Sequence, residues 1–249
     1  DRVAERSHVV RKEDALDLPP TNDINVHFDL STREAKAYKE MAEDLAAELE
    51  SGELLEVPNV LAKLMKLRQI HAGFLKDTAT GEIHNIGTTL RKTVKDIVDV
   101  QLVGEKRLVV FAYFRPECDL LADSFRRKGQ KVELITGATG ADERLAIRQR
   151  FLDVSRNKER TILVAQQRTM SVSVNELVSA QHAIYASISE RRNDMVQSRG
   201  RLDRKGQTKP VTFWNVFVPG LIGDIMLQSN LHKGDLEKAL LDHIRLAIR

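Results

Sequence analysis

The residues with the most pointed chemistry lie in one stretch: Gln197, Gly200, Arg201, Arg204, Gly206 and Gln207, running on to Val211. Arg201 and Arg204 are three apart, and on a helix that spacing puts two side chains on one face. Each guanidinium offers a planar fork of donors and stays charged at any relevant pH, so the pair suits a polyphosphate. Against a transferring phosphoryl group such an arginine can contribute about 10³–10⁵ in rate. The same charges also suit a salt-bridged surface helix, and charge alone leaves both readings open. Gly206-Gln207 is expected to end the helix and turn the chain toward a strand opening at Val211.

A second candidate is the Gly/Thr loop from Gly137 to Gly140, followed by Arg144. Backbone amides of such a loop at a helix N-terminus suit phosphate oxygens. The plain alternative is an ordinary turn with Thr139 or Asp142 capping the helix. Two basic clusters, Arg91/Lys92/Lys95 and Arg126/Arg127/Lys128, read either as solvated faces or as phosphate contacts. Seven histidines are scattered without metal-ligand spacing, so no metal site is expected.

These groups need elements to position them. Leu18-Pro19-Pro20 is extended, and Ile24 to Leu30 alternates apolar and polar as a half-buried strand does. Ser31 and Glu34 form a capping box before a helix carrying Ala35, Tyr38, Ala42, Leu45 and Leu49. A second helix starts near Asn59, with Leu61, Leu64, Leu67 and Ile70; residues 72–88 read as a loop; a third helix holds Leu90, Val94, Ile97 and Val98. Short apolar runs then alternate with helical ones. Strands are expected at Leu108–Ala112, Lys131–Ile135, Thr161–Ala165, His182–Ala186 and Val211–Val218. Helices are expected at Pro116–Lys128, Ala141–Leu152 and around Asn193–Leu202. That alternation predicts an α/β fold with a doubly wound parallel sheet. Residues 224–249 read as terminal helices through Ile225, Leu227, Leu231, Leu236, Leu240, Leu241, Ile244 and Leu246.

The pattern Gln197, Gly200-Arg201, Arg204, Gly206-Gln207 and Val211 fills every position of motif six of the Swi/Snf-type ATPases, a branch of the superfamily-two helicases. Other segments follow in that family's order. Lys106 to Phe114 resembles motif four, and Leu134 to Arg144 with Ile147 and Phe151 resembles its Gly-loop-Arg-Phe segment. Val9 to Pro20 resembles the linker after lobe one, and Leu67-Arg68-Gln69 resembles its Leu-Arg-Gln helix. Motif five departs from the pattern: Asn175 matches, whereas Ser171 and Ser173 stand where glycines are usual and Glu176 where leucine is usual. Serine does not enter positive-φ conformations freely. Ser189 to Asn193 replaces the family's Trp-Asn-Pro and is similar to bacteriophage and prophage members.

The resemblance implies a RecA-like second lobe of an ATP-dependent DNA helicase or translocase. Arg201 and Arg204 would be its arginine fingers, with Gln197, Gly200 and Asn175 on the nucleotide side. Phe114, Gly137, Thr139, Arg144 and Ser171 would lie along the nucleic-acid backbone. The implied organisation is a linker and leading strand over residues 1–30, a helical insertion over 31–100, the RecA-like lobe over 101–218, and C-terminal helices over 219–249. ATP and Mg²⁺ would be held mainly by a first lobe: the sequence contains no phosphate loop, and Asp142-Glu143 lacks the apolar strand that precedes a magnesium-binding box. The chain alone is therefore expected to be inactive. DNA is favoured over RNA by the resemblance only.

Bulk properties agree with an intracellular globular protein, cytoplasmic or in a host's cytoplasm if phage-encoded. Apolar residues make up 42% and charged residues 30%, with 39 basic against 36 acidic side chains and a net charge of +3. No apolar run is long enough to cross a membrane. Cys118 is the one cysteine, which excludes an internal disulfide framework. The first residue is Asp1, without a signal peptide's pattern, and the sequence reads as a fragment or processed product. The other classes left open are a non-catalytic nucleic-acid-binding module and an interaction scaffold, either having lost the ATPase lobe.

Overall fold

The computed structural model describes residues 17–50, 57–154, 158–169 and 177–232. In chain order it contains β1 (Thr21–His27), α1 (Thr32–Glu50), α2 (Val57–His71), β2 (Phe74–Lys76), β3 (Ile83–Asn85) and α3 (Thr89–Asp96), which continues as a π turn over Ile97–Gln101. There follow β4 (Arg107–Ala112), α4 (Arg115–Arg126), β5 (Lys131–Ile135), α5 (Ala141–Leu152), β6 (Thr161–Gln166), β7 (His182–Tyr185), α6 (Arg192–Leu202), β8 (Val211–Phe217) and α7 (Ile222–His232).

Six strands form one sheet in the order β1-β8-β7-β4-β6-β5, and every pairing is parallel. β4 reads as an unbroken apolar run because both of its faces are covered. Leu108, Val110 and Ala112 point to one face, packed with Cys118, Leu121 and Phe125 of α4 and with Leu90 and Val94 of α3. Val109 and Phe111 point to the other, packed with Ile147 and Phe151 of α5, Met195 and Leu202 of α6, and Leu227 of α7. A third cluster joins α1, α2 and α7 through Tyr38, Leu45, Leu67, Ile70, Ile222 and Met226. The doubly wound α/β architecture expected from the alternation is the one observed.

The capping box is present. The Ser31 amide and hydroxyl both donate to Glu34 Oε2, at 2.8 and 2.5 Å, and Thr89 Oγ1 donates to the same oxygen at 2.7 Å. Glu34 is fully buried, and Gly87 makes room for it: a Cβ there would fall 1.7 Å from Glu34 Oε1.

Two expectations are corrected. The stretch 72–88 is not a plain loop: β2 and β3 pair antiparallel around a turn in which Asp77 Oδ1 accepts the Ala79 and Thr80 amides. Three-residue strands with polar tips carry no readable period. β1 is more exposed than alternation implied, because it is an edge strand paired only with β8. Val26 packs against the core, while Ile24 stays 37% exposed. Of the expected terminal helices α7 is described, whereas Leu236, Leu240, Leu241, Ile244 and Leu246 lie outside the described residues. No helix among the described residues is long and apolar enough to cross a membrane.

Candidate functional site

β7 and β8 are parallel neighbours, so α6 must carry the chain back from the C-terminal edge of the sheet to its N-terminal edge. A buried polar network fixes its start. The Ser189 amide donates to Gln167 Oε1 at 2.8 Å, and Ser189 Oγ donates to Asp194 Oδ2 at 2.7 Å. Asn230 Nδ2 donates to the Ser189 carbonyl at 2.8 Å. One turn on, Ser198 Oγ lies 2.8 Å from the Tyr185 hydroxyl. Arg199 then grips β1 by two bonds, Nη1 to Asp23 Oδ1 at 2.7 Å and Nη2 to Asp23 Oδ2 at 2.6 Å, with its guanidinium 3.9 Å above the Phe213 ring. Burial alone would raise the Asp23 pKa. The bonds and charge of Arg199 and a bond from Asn215 outweigh it, and the carboxyl ends below its ordinary value.

Arg201 and Arg204 follow, and their geometry differs from the expected one. α6 ends at Leu202, so only Arg201 is helical; Arg204 lies in the turn beyond. Burial lowers the Arg201 pKa first, and the nearby Arg204 charge lowers it further. Arg201 is half-buried and Arg204 exposed. The turn is held by hydrogen bonds. Gly206 adopts φ +102°, and buried Gln207 donates Nε2 to the carbonyls of Val178, Ala180 and Leu202 at 3.3, 3.1 and 3.3 Å. Gln207 Oε1 accepts the amides of Thr208 and Lys209 at 3.1 and 3.2 Å. The Arg201 carbonyl accepts the Leu177 amide at 2.8 Å. Gln197 is exposed one turn before Arg201, and a Cβ on Gly200 would meet no described atom within 4 Å.

The other candidates sit at the opposite, C-terminal edge. The Gly137 amide donates to Gln166 Oε1 at 3.1 Å, and Gln166 Nε2 donates to the Tyr113 carbonyl at 3.0 Å, which ties the ends of β5, β6 and β4 together. Thr139 Oγ1 accepts the Thr136 amide at 3.0 Å, and Arg144 Nη2 reaches the carbonyls of Thr136 and Gly137 at 3.4 and 3.5 Å. Neither Thr139 nor Asp142 caps α5: Gly140 is its N-cap, with no side-chain cap bond. Phe114 precedes α4 and is half-buried in edge contacts with Phe74 and Tyr113, at 5.4 and 4.8 Å between ring centroids. Ser171 and Asn175 lie outside the described residues.

Sequence reasoning missed a buried cluster behind this edge. Arg68 donates Nη1 to Glu190 Oε2 and Nη2 to the Ile188 carbonyl, both at 2.9 Å, and lies 3.6 Å from the Tyr113 ring centroid. Glu117 is fully buried. Its Oε2 accepts Ser187 Oγ at 2.7 Å and the amides of Tyr113 and Phe114 at 3.3 Å. The readable signal was a glutamate three residues into a helix, at the position that closes a capping box.

Burial pushes the Glu117 carboxyl from 4.5 up to about 7, against the bonds from Ser187 and the two amides. A carboxyl with a raised folded pKa favours the fold below its unfolded pKa and loses that advantage as pH climbs through the folded value. Wild type should therefore lose about 3 kcal/mol relative to Glu117→Gln between pH 4.5 and pH 8. Urea unfolding of both proteins across that range checks it; parallel pH profiles would contradict it.

No family model matches the chain. Over 247 residues, 95% of its length, it is 23% identical to the CHD3-type chromatin-remodeling factor PICKLE of Arabidopsis thaliana, and it spans 18% of that protein. Among solved structures, the C-terminal part of the Fun30 ATPase domain superposes with a TM-score of 0.69 at 14% identity, covering 93% of this chain and 99% of that one. The Sulfolobus solfataricus SWI2/SNF2 ATPase C-terminal domain gives a TM-score of 0.63 at 17% identity, covering 92% and 98%. The fold is that of the C-terminal lobe of SWI2/SNF2 ATPases. The Sulfolobus solfataricus SWI2/SNF2 ATPase core in complex with dsDNA gives 0.68 at 20% identity. There the match covers 96% of this chain and 52% of that one, so the SWI2/SNF2-like lobe accounts for about half of such a core.

Proposed function

We propose that this chain is the second lobe of an ATP-dependent DNA translocase of the SWI2/SNF2 type. The observation that carries the reading is the placement of Arg201 in the last turn of α6 and of Arg204 just beyond it, at the turn braced by Gln207, on a lobe of this fold. Two guanidiniums near each other, each a planar fork of donors, are a fitting partner for a γ-phosphate. The nucleotide would be presented by a lobe carrying a phosphate loop. Mg²⁺ would be held mainly on that lobe too, beside the phosphates it bridges. Closure of the two lobes would bring the guanidiniums onto the transferring phosphoryl group.

The Gly137 loop would follow the DNA backbone at the opposite edge through contacts that carry no sequence information. A fold with nucleotide at one edge and DNA at the other can convert closure into a step along the duplex, with work done inside the cell, where both are found. The run Ser189 to Asn193 is what supports a phage or prophage origin. Purified alone, the chain should hydrolyse ATP no faster than buffer, with or without DNA, because its sequence carries no phosphate loop. DNA-stimulated turnover by the isolated chain would overturn the division of labour proposed here.

A further inference from the structure

The groove between α3 and α4 gathers two basic clusters that are separate in the sequence. Arg91, Lys92 and Lys95 come from α3, and Arg127 and Lys128 from the turn that closes α4; together they line an open cavity of 310 Å³. One acid, Asp123, also lines it, and it is engaged by Arg126 at 3.5 Å. Arg91 forms the floor. It is buried, its Nη2 donates to Asn85 Oδ1 at 2.8 Å and to the Gly87 carbonyl, and Glu34 and Glu117 balance its charge from behind. Lys92, Lys95, Arg127 and Lys128 form no ion pair among the described residues, and all but half-buried Lys95 are exposed. The Arg127 charge reaches across and, after burial, adds to the lowering of the Arg91 pKa.

Four unneutralised cations in one concave surface repel one another, and a polyanion relieves that cost. The lining decides which polyanion. Leu120 is its apolar member and no aromatic ring borders it, so nothing there stacks on a base. Long basic side chains spread over a helix and a neighbouring turn suit repeated backbone phosphates better than one fixed anion. The groove uses a different face of α4 from that of Arg115, Asp119 and Arg126, which borders the Thr136–Thr139 loop.

We infer that Lys92, Lys95, Arg127 and Lys128 in the α3–α4 groove bind the phosphodiester backbone of duplex DNA, as a contact separate from the Gly137 loop. The choice of DNA as the polyanion rests on the translocase reading; the groove itself does not. The test is duplex affinity of the 249-residue chain as a function of salt, for wild type, K92Q/K95Q, R127Q/K128Q and the loop variant Arg144→Ala. Each lost phosphate contact lowers the slope of log affinity against log salt by about 0.9. Each groove pair should therefore flatten it by about 1 to 2 and weaken binding at least about 10-fold at low salt. Unchanged affinity and slope in both pairs, with Arg144→Ala weakened, would remove the groove and leave the translocase reading intact. Absence of salt-dependent duplex binding by wild type would remove both. Tripolyphosphate marks the remaining outcome: if it protects wild type but not K92Q/K95Q against thermal unfolding while duplex affinity is equal in the two, the groove takes a small polyphosphate and the DNA assignment fails.

Discussion

Replacing Arg201 or Arg204 by alanine, in a protein that joins this chain to a phosphate-loop lobe, should lower ATP turnover by about 10³-fold or more while nucleotide affinity changes little. A finger acts on charge that develops as the phosphoryl group transfers, so its loss appears in kcat rather than KM. Arg201→Lys should recover only part of the rate, because an ammonium keeps the charge and loses the planar fork. Arg199→Ala supplies the internal comparison. Two residues away on α6, Arg199 is committed to Asp23 and the Phe213 ring, so its removal should loosen the β1–α6 contact without a loss on that scale. Equal losses from Arg199→Ala and Arg201→Ala in steady-state turnover would mean that α6 matters as a whole and not through its last turn.

Arg107→Met should destabilise the chain by about 3 kcal/mol, the largest effect expected from a single side chain outside the candidate site. Arg107 opens β4, is 2% exposed, and spends its guanidinium on backbone carbonyls: Nε to Phe151 at 2.7 Å, Nη1 to Lys106 at 2.9 Å and Glu159 at 2.7 Å, and Nη2 to Asp153 at 3.5 Å. It thereby joins the end of α5 to the approach to β6. Methionine fills much of the same volume, so the cost measures the lost guanidinium bonds; the Lys106, Phe151 and Glu159 carbonyls keep the Thr161 amide, the Ser179 hydroxyl and the Thr161 hydroxyl, and bonds to a charged group are worth about 1.5–3 kcal/mol. The urea midpoint should fall with little change in slope. A shift worth less than about 1 kcal/mol would mean that solvent reaches those carbonyls and replaces the donors.

Where an element has a strong local period, the sequence located it closely. Lys131–Ile135 and Ala141–Leu152 match β5 and α5 residue for residue, since each is bounded by its own turn residues. β2 and β3 escaped because three-residue strands have too few side chains to show alternation. The end of α6 at Leu202 agrees with the sequence reading, but the expectation that Arg204 shares a helix face with Arg201 does not hold. Arg201-Leu202-Asp203-Arg204 contains no helix breaker, and beyond Leu202 the carbonyls of Leu202 and Arg201 accept Gln207 Nε2 and the Leu177 amide. Long-range pairs were invisible in the same way: Asp23 and Arg199 are 176 residues apart, and Arg68 meets Glu190 across 122. The two basic clusters were legible as composition, but only the groove between α3 and α4 makes them one surface.

The central claim, that Arg201 and Arg204 complete a nucleotide site built on another lobe, is tested most directly by transition-state trapping. A protein uniting both lobes is incubated with ADP and aluminium fluoride, with and without duplex DNA, and retained nucleotide is counted after gel filtration. Wild type should hold the trapped complex, whereas R201A and R204A should release it while binding ADP alone as wild type does. Equal retention of the trapped nucleotide by wild type and both variants would contradict the account.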